Sequence, residues 1–444
     1  SFTKLTSDFD FKAMQSYAKS KNVSIQAYHE TMANTKNYLA QIDSAFSLLN
    51  ELGIKNVKIG HVGSKLDNEE YHYSQYGVNY FRTILRKAVQ YKIGVNFHEP
   101  VKDTGERRTF PNMLTREGSR GMEYNAWSGG NPPNHTLILP FNRLLSSPMD
   151  YTPGIFDLLL ENLDFHNNVE YPISISIIDS GNGYENLRFK SSESMWANKN
   201  MVLDTVINNG KKINIWKIQE NFQIGKWEWG ITADQPELGK NNIWIIESLK
   251  NKNNRSLFID NEGQLFGQSN IIIPFQNLKN HHTNLIRGYP DISPPRVSST
   301  LAKQLALYVI IYSPLQMASD FIENYEGHSA FKFIKDVPVN WDTTVVLNGH
   351  IEEYITIARK DRYSKDWYLG SATNEFERSF EISLNFLDDG LYDAAIYADG
   401  ENCDWETNPG DYLLFQKYFS NTDTYRINMA KGGGQAIRFK FINN

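Results

Sequence analysis

From residue 23 onward the chain alternates short apolar runs with stretches in which apolar residues return every three or four positions. VSIQAYHE (23–30) predicts a β-strand, and NYLAQIDSAFSLLNELG (37–53) predicts an amphipathic helix that stops on a glycine. VKIGHV (57–62) predicts a second strand, VNYFRTILRKAVQYKIG (78–94) a second helix and VNFHE (95–99) a third strand. Strand, helix, strand, helix, strand with short connections implies right-handed βαβ units and a parallel sheet. In a barrel of such units the reacting groups stand at the carboxyl ends of the strands. Glu30, His61, His98 and Glu99 all fall there, each where an apolar run gives out.

The pattern changes between residues 158 and 291. Helical periodicity vanishes, and ISISIID, INIWKI, NIWIIES and RSLFID are separated by Asn, Gly and Lys clusters that mark turns. This segment reads as an all-β module inserted into the barrel. It holds Trp196, Trp216, Trp227, Trp229 and Trp244, five of the nine tryptophans, which either fill a small β core or face a carbohydrate. LAKQLALYVIIYSPLQMASD (301–320) returns to a barrel-type helix that leads into a further strand. Beyond residue 345, EYITIAR, DWYLGSA, SFEISLNF, YDAAIYAD, DYLLFQKYF and AIRFKFI predict a C-terminal antiparallel β-sandwich. The expected fold is therefore a (β/α)8-type barrel over 1–157 and 292–344, the β-rich module at 158–291 and the sandwich at 345–444. The glycine run at 432–434 is a turn before the last strand and lacks the setting of a phosphate loop.

Candidate chemistry concentrates in NFHEPVKDTGERRTFPNMLTREGSRGMEYN (96–125), too rich in Gly and Pro for one helix and too charged for a core. It carries Glu99, Glu117 and Glu123 beside His98, Arg107, Arg108, Arg116 and Arg120. Glycoside hydrolysis uses two carboxyl groups, one protonated and one ionised, about 6.5–9.5 Å apart when water is the nucleophile. With Glu30 the chain offers more carboxylates than that. Clustered at a barrel mouth they would repel one another unless neutralised by a hard cation such as Ca²⁺, or by arginines. Spacing alone leaves both open. The four arginines read as structural partners of the loop carboxylates, and His61 and His98 as sugar ligands or as buried hydrogen-bonding groups.

Composition narrows the classes. A chain of 444 residues has room for two or three domains, and a net charge of −6 gives no support to a nucleic-acid surface. Aromatic content of 13% suits sheet packing and also the stacking of sugar rings. The lone Cys403 excludes an intrachain disulfide and a cysteine zinc site, and reads as inert. No apolar run reaches the ~18 residues of a membrane-spanning helix.

HEPVKDTGERRTFPNMLTREGSRGMEYN, MDYTPGIFD (149–157), LAKQLALYVIIYSPLQMASD, AFKFIKDVPVNWD (330–342) and YITIARKDRYSKDWYLGSAT together resemble glycoside hydrolase family 97. The resemblance covers nearly all of the chain outside roughly residues 158–291. It implies an exo-acting, calcium-dependent α-glucosidase or α-galactosidase of the periplasm that takes oligosaccharides. It further implies that Glu123 in GMEYN is the general acid, and that Glu99 in HEP and Glu30 in YHET form the base pair of the inverting branch. Glu99, Glu117 in TREG and Glu123 match calcium-binding glutamates, and His98 and His61 become candidate substrate-binding residues.

Retaining members of that family place a nucleophilic Asp at the end of the strand matching VKIGHVG. Here the strand holds Gly60, His61, Val62 and Gly63 and no carboxylate, which favours the inverting, α-glucosidase-like branch acting on starch- or dextrin-derived oligosaccharides. The family also has an N-terminal β-sandwich, which supplies one calcium-binding glutamate, and the first barrel strands before this point. The expectation is that Ser1 is internal to a longer product or that a second chain completes the fold, since open parallel edges are prone to aggregation. A hydrolase of another α-glycoside, such as an α-galactoside, and a catalytically silent carbohydrate-binding protein are the alternatives.

Overall fold

The computed structural model describes residues 2–6, 9–63, 65–127, 130–160 and 296–442, together with the backbone of strands between 171 and 288. The first unit begins with α1 (Phe11–Ser20), β1 (Gln26–Glu30), α2 (Thr35–Glu51), β2 (Asn56–Gly60), α3 (Gln75–Gln90), β3 (Gly94–Phe97) and β4 (Met113–Arg116). Side chains close the helix starts: Asn34 accepts from Asn37 N at 3.2 Å for α2, and Ser74 from Gly77 N at 3.2 Å for α3. The helical stripes Tyr38, Ile42, Phe46 and Leu49, and Tyr80, Ile84, Leu85 and Ala88, pack on Val57, Ile59, Val95, Phe97 and Met113 of the strands. Each large apolar side chain buried this way contributes about 1.5–3 kcal/mol.

The four strands pair in the order β1-β2-β3-β4, all parallel. Strand alternation then sorts the side chains: Val57 and Ile59 join the core against the helices, so Lys58 and Gly60 face the other way. Tyr28 pairs with Lys58 and Glu30 with Gly60, while Lys58 pairs with Asn96, so these positions share that second face. A parallel bridge between Arg116 and Met149 extends the sheet by one position. The expected eight-stranded barrel thus appears, among the described residues, as four parallel strands and this fifth bridge, without closure.

The helix Leu301–Ile310 is buried along its whole length; it is apolar except at Lys303 and Gln304, whose polar ends have buried partners, Lys303 Nζ on Pro133 O and Thr373 O and Gln304 Oε1 on Gly154 N. One side joins a core of Leu137, Met149, Tyr151, Leu158 and Val297. The other lies directly on a sheet of the C-terminal region, where a Cβ at Gly370 would come within 2.5 Å of Ala306 O. Only glycine permits that approach. The C-terminal region is a six-stranded antiparallel sheet, from Trp341–His350 at one edge to Tyr412–Phe419 at the other. A two-stranded sheet of Arg378–Ser383 and Thr424–Met429 shares its core of Trp367, Leu369, Ile382, Ile396, Ile427 and Phe439.

The chain leaves this unit at Leu158 and returns at Val297, whose N–H donates to Leu158 O at 2.9 Å. A second unit takes in residues 124–130 and 159–296. Its strands form a six-stranded sheet, including Tyr171–Asp179, Lys211–Phe222 and Asn242–Ser248, and a five-stranded sheet, both antiparallel. The two roles left open for its tryptophans fall on side chains outside the described residues. Among the described residues no helix is long and apolar enough to cross a membrane.

Candidate active site

Two carboxylates meet the end of β2. His61 N donates to Glu99 Oε2 at 2.7 Å, and the next amide, Val62 N, donates to Glu30 Oε1 at 3.1 Å. Glu30 Oε1 also accepts from Met32 N at 2.7 Å, and its Oε2 from the phenol of Tyr28 at 2.6 Å. A Cβ at Gly60 would lie 2.1 Å from Glu30 Oε2, so the missing side chain is what makes room for this carboxylate. Burial first, then the hydrogen bond to Glu30 and the charges of Glu30, Glu99 and Glu123, push the Tyr28 phenol up. Glu99 holds φ +48°, a left-handed conformation that is costly for a residue with a Cβ. Backbone bonds on either side of the strand end fix it there: His98 N to Ile59 O and Glu117 N to Phe97 O, both 2.9 Å.

His98 is the hub of a second group. It is buried, with Nε2 2.7 Å from Asp150 Oδ2 and Nδ1 3.5 Å from Glu117 Oε2. Asn96 Nδ2 donates to the same Asp150 oxygen at 2.6 Å. Burial alone would raise Asp150; the hydrogen bond and charge of His98, and the hydrogen bond from Asn96, hold it below the usual carboxylate range. Burial pushes Glu117 up to about 7, against the attraction of His98 and with the repulsion of Glu123 and Glu99. The backbone N–H of Glu99 pulls the Glu117 carboxyl the other way, toward its charged form.

Among the described residues, His98, Glu117 and Glu123 bring ligand atoms within 4.8 Å of one another and form the one group able to hold a metal ion. The expected ligand Glu99 stands outside that group, its Oε2 turned to His61. Two of the three donors are carboxylates, one of them buried and raised by that burial, and carboxylate oxygens are the ligands a hard cation takes.

His61 needs correction as a substrate ligand. Its ring is fully buried, with Nδ1 3.1 Å from His98 O and Nε2 3.0 Å from Tyr80 Oη, and it packs edge-on against Tyr80 and Phe81. Burial holds the imidazole down to about 4, so it is neutral. What His61 gives the site is its backbone N–H. His98 too is occupied at both nitrogens, by carboxylates rather than by open space. Arg116 is a structural residue as expected, but its partner is Asp103, at 2.6 Å, and not a site glutamate. The loop carrying Glu117 is held instead by Arg143, which donates to Glu117 O at 2.9 Å and to Arg116 O at 3.0 Å.

Sequence reasoning passed over Tyr28, Asn96 and Asp150. The signal was there in the strand period, since Tyr28 and Asn96 precede Glu30 and His98 by two residues and so share their face. Asp150 ends the apolar position that bridges to β4.

Residues 1–119 match the model described as Glycoside hydrolase 97, and residues 340–440 the one described as Glycosyl-hydrolase 97 C-terminal, oligomerisation. The retaining alpha-galactosidase of Bacteroides thetaiotaomicron is 23% identical over 442 residues, 98% of this chain and 45% of that protein. A probable retaining alpha-galactosidase of Streptomyces bingchenggensis is 30% identical over 141 residues, 32% of this chain and 20% of that protein. A glycoside hydrolase family 97 enzyme from Pseudoalteromonas sp. strain K8, solved in complex with acarbose, superposes with a TM-score of 0.67 at 32% identity, covering 100% of this chain and 50% of that one. A variant of that enzyme in complex with panose superposes equally well. The chain spans about half the length of the relatives it matches.

Proposed function

We propose that this chain is part of a glycoside hydrolase of family 97, a reading that the two family-model matches and the superposed family 97 enzyme support, and that it carries the hydrolytic site of an exo-acting α-glucosidase that inverts the anomeric carbon. Starch- or dextrin-derived oligosaccharides are the substrates in this reading, and the periplasm is the compartment. Glu123 is the general acid that protonates the leaving oxygen. Glu30 and Glu99 orient and deprotonate the attacking water from the opposite face. The observation that carries the reading is the end of β2: two carboxylates are held by consecutive amides, His61 and Val62, around a glycine whose Cβ position is already filled. No side chain on β2 is left there to form a glycosyl ester.

Calcium is the cation that this reading places beside Glu117, Glu123 and Glu99, with His98 and Asp150 behind them. When bound it supplies positive charge that orients the sugar and offsets charge developing in the transition state. Asp150 holds His98 and His98 faces Glu117, so the residues themselves fix this side of the cluster. The other half of the longer relatives is the source we propose for the rest of the barrel and for a further calcium ligand.

A retaining α-galactosidase is the second reading, favoured by what the two curated relatives are called. Early proton NMR of the reaction separates the two. Maltose should release β-glucose first, before mutarotation, and p-nitrophenyl α-galactoside should turn over poorly. First-formed α-anomer, faster galactoside turnover, or a glycosyl-enzyme adduct seen by mass spectrometry would move the assignment to the second reading.

A further inference from the structure

Tyr28 stands two residues before Glu30 on β1, on the face turned away from the helices. The residue is 57% exposed and belongs to no apolar core, so packing gives no account of it. Its hydroxyl donates to Glu30 Oε2 at 2.6 Å. The other oxygen of Glu30 accepts two backbone N–H groups, from Met32 at 2.7 Å and Val62 at 3.1 Å. The backbone therefore fixes Oε1, and the described side chain that fixes Oε2 is Tyr28. Gly60 leaves space for both partners at once, since a Cβ there would lie 2.1 Å from Glu30 Oε2 and 2.9 Å from Tyr28 Oη. Lys58 Nζ lies 5.2 Å from the ring centroid and steadies the ring from the neighbouring strand.

We propose that Tyr28 is a positioning residue of the hydrolytic site, holding Glu30 so that the free lone pair of Oε2 faces the attacking water. The proposal rests on the base role given to Glu30 above. A carboxylate oxygen has two lone-pair sites. On Oε1 both are taken by backbone amides, so the proton from water must go to Oε2, where Tyr28 fills one site and leaves the other. In the step, the water oxygen bonds to the anomeric carbon and passes a proton to Glu30 Oε2. The glycosidic C–O bond breaks, and its oxygen takes the proton of Glu123. Tyr28 keeps its own proton throughout. Without the phenol, Glu30 would stay tethered by Oε1 but would be free to swing Oε2 about that anchor. The effect falls on the chemical step and not on the binding of sugar.

The test is Tyr28→Phe in the full chain, alone and combined with Glu30→Gln, assayed on maltose. Tyr28→Phe should lower kcat about tenfold, the size expected for losing one hydrogen bond to a charged group, with KM and Tm unchanged. In the Glu30→Gln background the same substitution should lower kcat no further, because the residue through which it acts is gone. A crystal structure of Tyr28→Phe should show Glu30 Oε2 displaced while Oε1 stays on the two amides. Unchanged kcat, a raised KM with kcat intact, equal losses in both backgrounds, or an unmoved Glu30 would each overturn the positioning role. Wild-type protein inert on α-glucosides would instead overturn the proposed function, and the position of Glu30 in the Tyr28→Phe crystal structure still decides the Tyr28 proposal.

Discussion

Glu30 and Gly60 compete for one space. A Cβ at position 60 would come within 2.1 Å of Glu30 Oε2 and 3.0 Å of its Cδ, so the carboxylate reaches the end of β2 only because residue 60 has no side chain. The cheapest response to an added methyl is for Glu30, the far end of a flexible side chain, to move. Gly60→Ala should therefore spare stability and damage turnover. A displacement of about 1 Å in a reacting group costs on the order of 10²-fold in rate. Steady-state kinetics on maltose beside a melting curve will tell: a fall in Tm matching the loss of activity would mean that the glycine serves the fold.

Glu123 is the exposed member of the candidate metal-binding group. In the general-acid role proposed for it, its loss should matter in proportion to how badly the leaving group needs a proton. Glu123→Gln should cost about 10²–10⁴-fold on maltose and far less on α-glucosyl fluoride, whose leaving group departs without protonation. Equal losses on the two substrates would assign Glu123 to binding or to the metal alone.

Much of this arrangement was legible in the sequence because strand and helix periods are local. The alternation of Val57, Lys58, Ile59 and Gly60, and the four-residue returns of Tyr38, Ile42 and Phe46, already specify which faces meet. The strand ends that carry Glu30 and Glu99 follow from where those runs stop. Facts that depend on distant partners were not legible. His61 reads the same whether its ring faces solvent or lies against Tyr80 and Phe81, and only the packed core decides. Arg116 could pair with any loop carboxylate, and the fold brings it Asp103. Asp150 needed the bridge of its own segment to β4 before it could be placed beside His98.

Calcium should raise both Tm and activity, because an ion that binds only the folded state stabilises it by mass action, about 2.7 kcal/mol at a hundredfold excess over Kd. Mg²⁺ should substitute poorly, since it demands a smaller, near-octahedral shell. Glu117→Gln keeps the size of the side chain and removes the buried charge that a cation would meet. In that variant Tm should no longer respond to calcium or to excess chelator. A wild-type Tm indifferent to both would remove calcium from the site.

Lys303 supplies a pH dependence of different origin. It is wholly buried on the helix Leu301–Ile310, and its Nζ donates to Pro133 O and Thr373 O, both at 2.8 Å. A neutral amine has two hydrogens, one for each carbonyl, so both partners stay satisfied without the charge. Burial holds this lysine down to about 7, against the opposing pull of Glu375 and Asp399. The folded-state value thus lies below the unfolded one of about 10.4. Between those two values the unfolded chain binds a proton that the folded chain does not, and stability must rise with pH across the window. Below about 7 both states carry the proton and the contribution is flat. Lys303→Met removes the titration along with the two hydrogen bonds. The wild type should therefore be the more stable protein at high pH, with its Tm advantage growing from pH 7 to pH 10. Measuring both proteins at each pH cancels the tyrosines and surface lysines that titrate in the same range. An advantage that stays constant from pH 7 to pH 10 would mean that Lys303 keeps its charge in the folded protein.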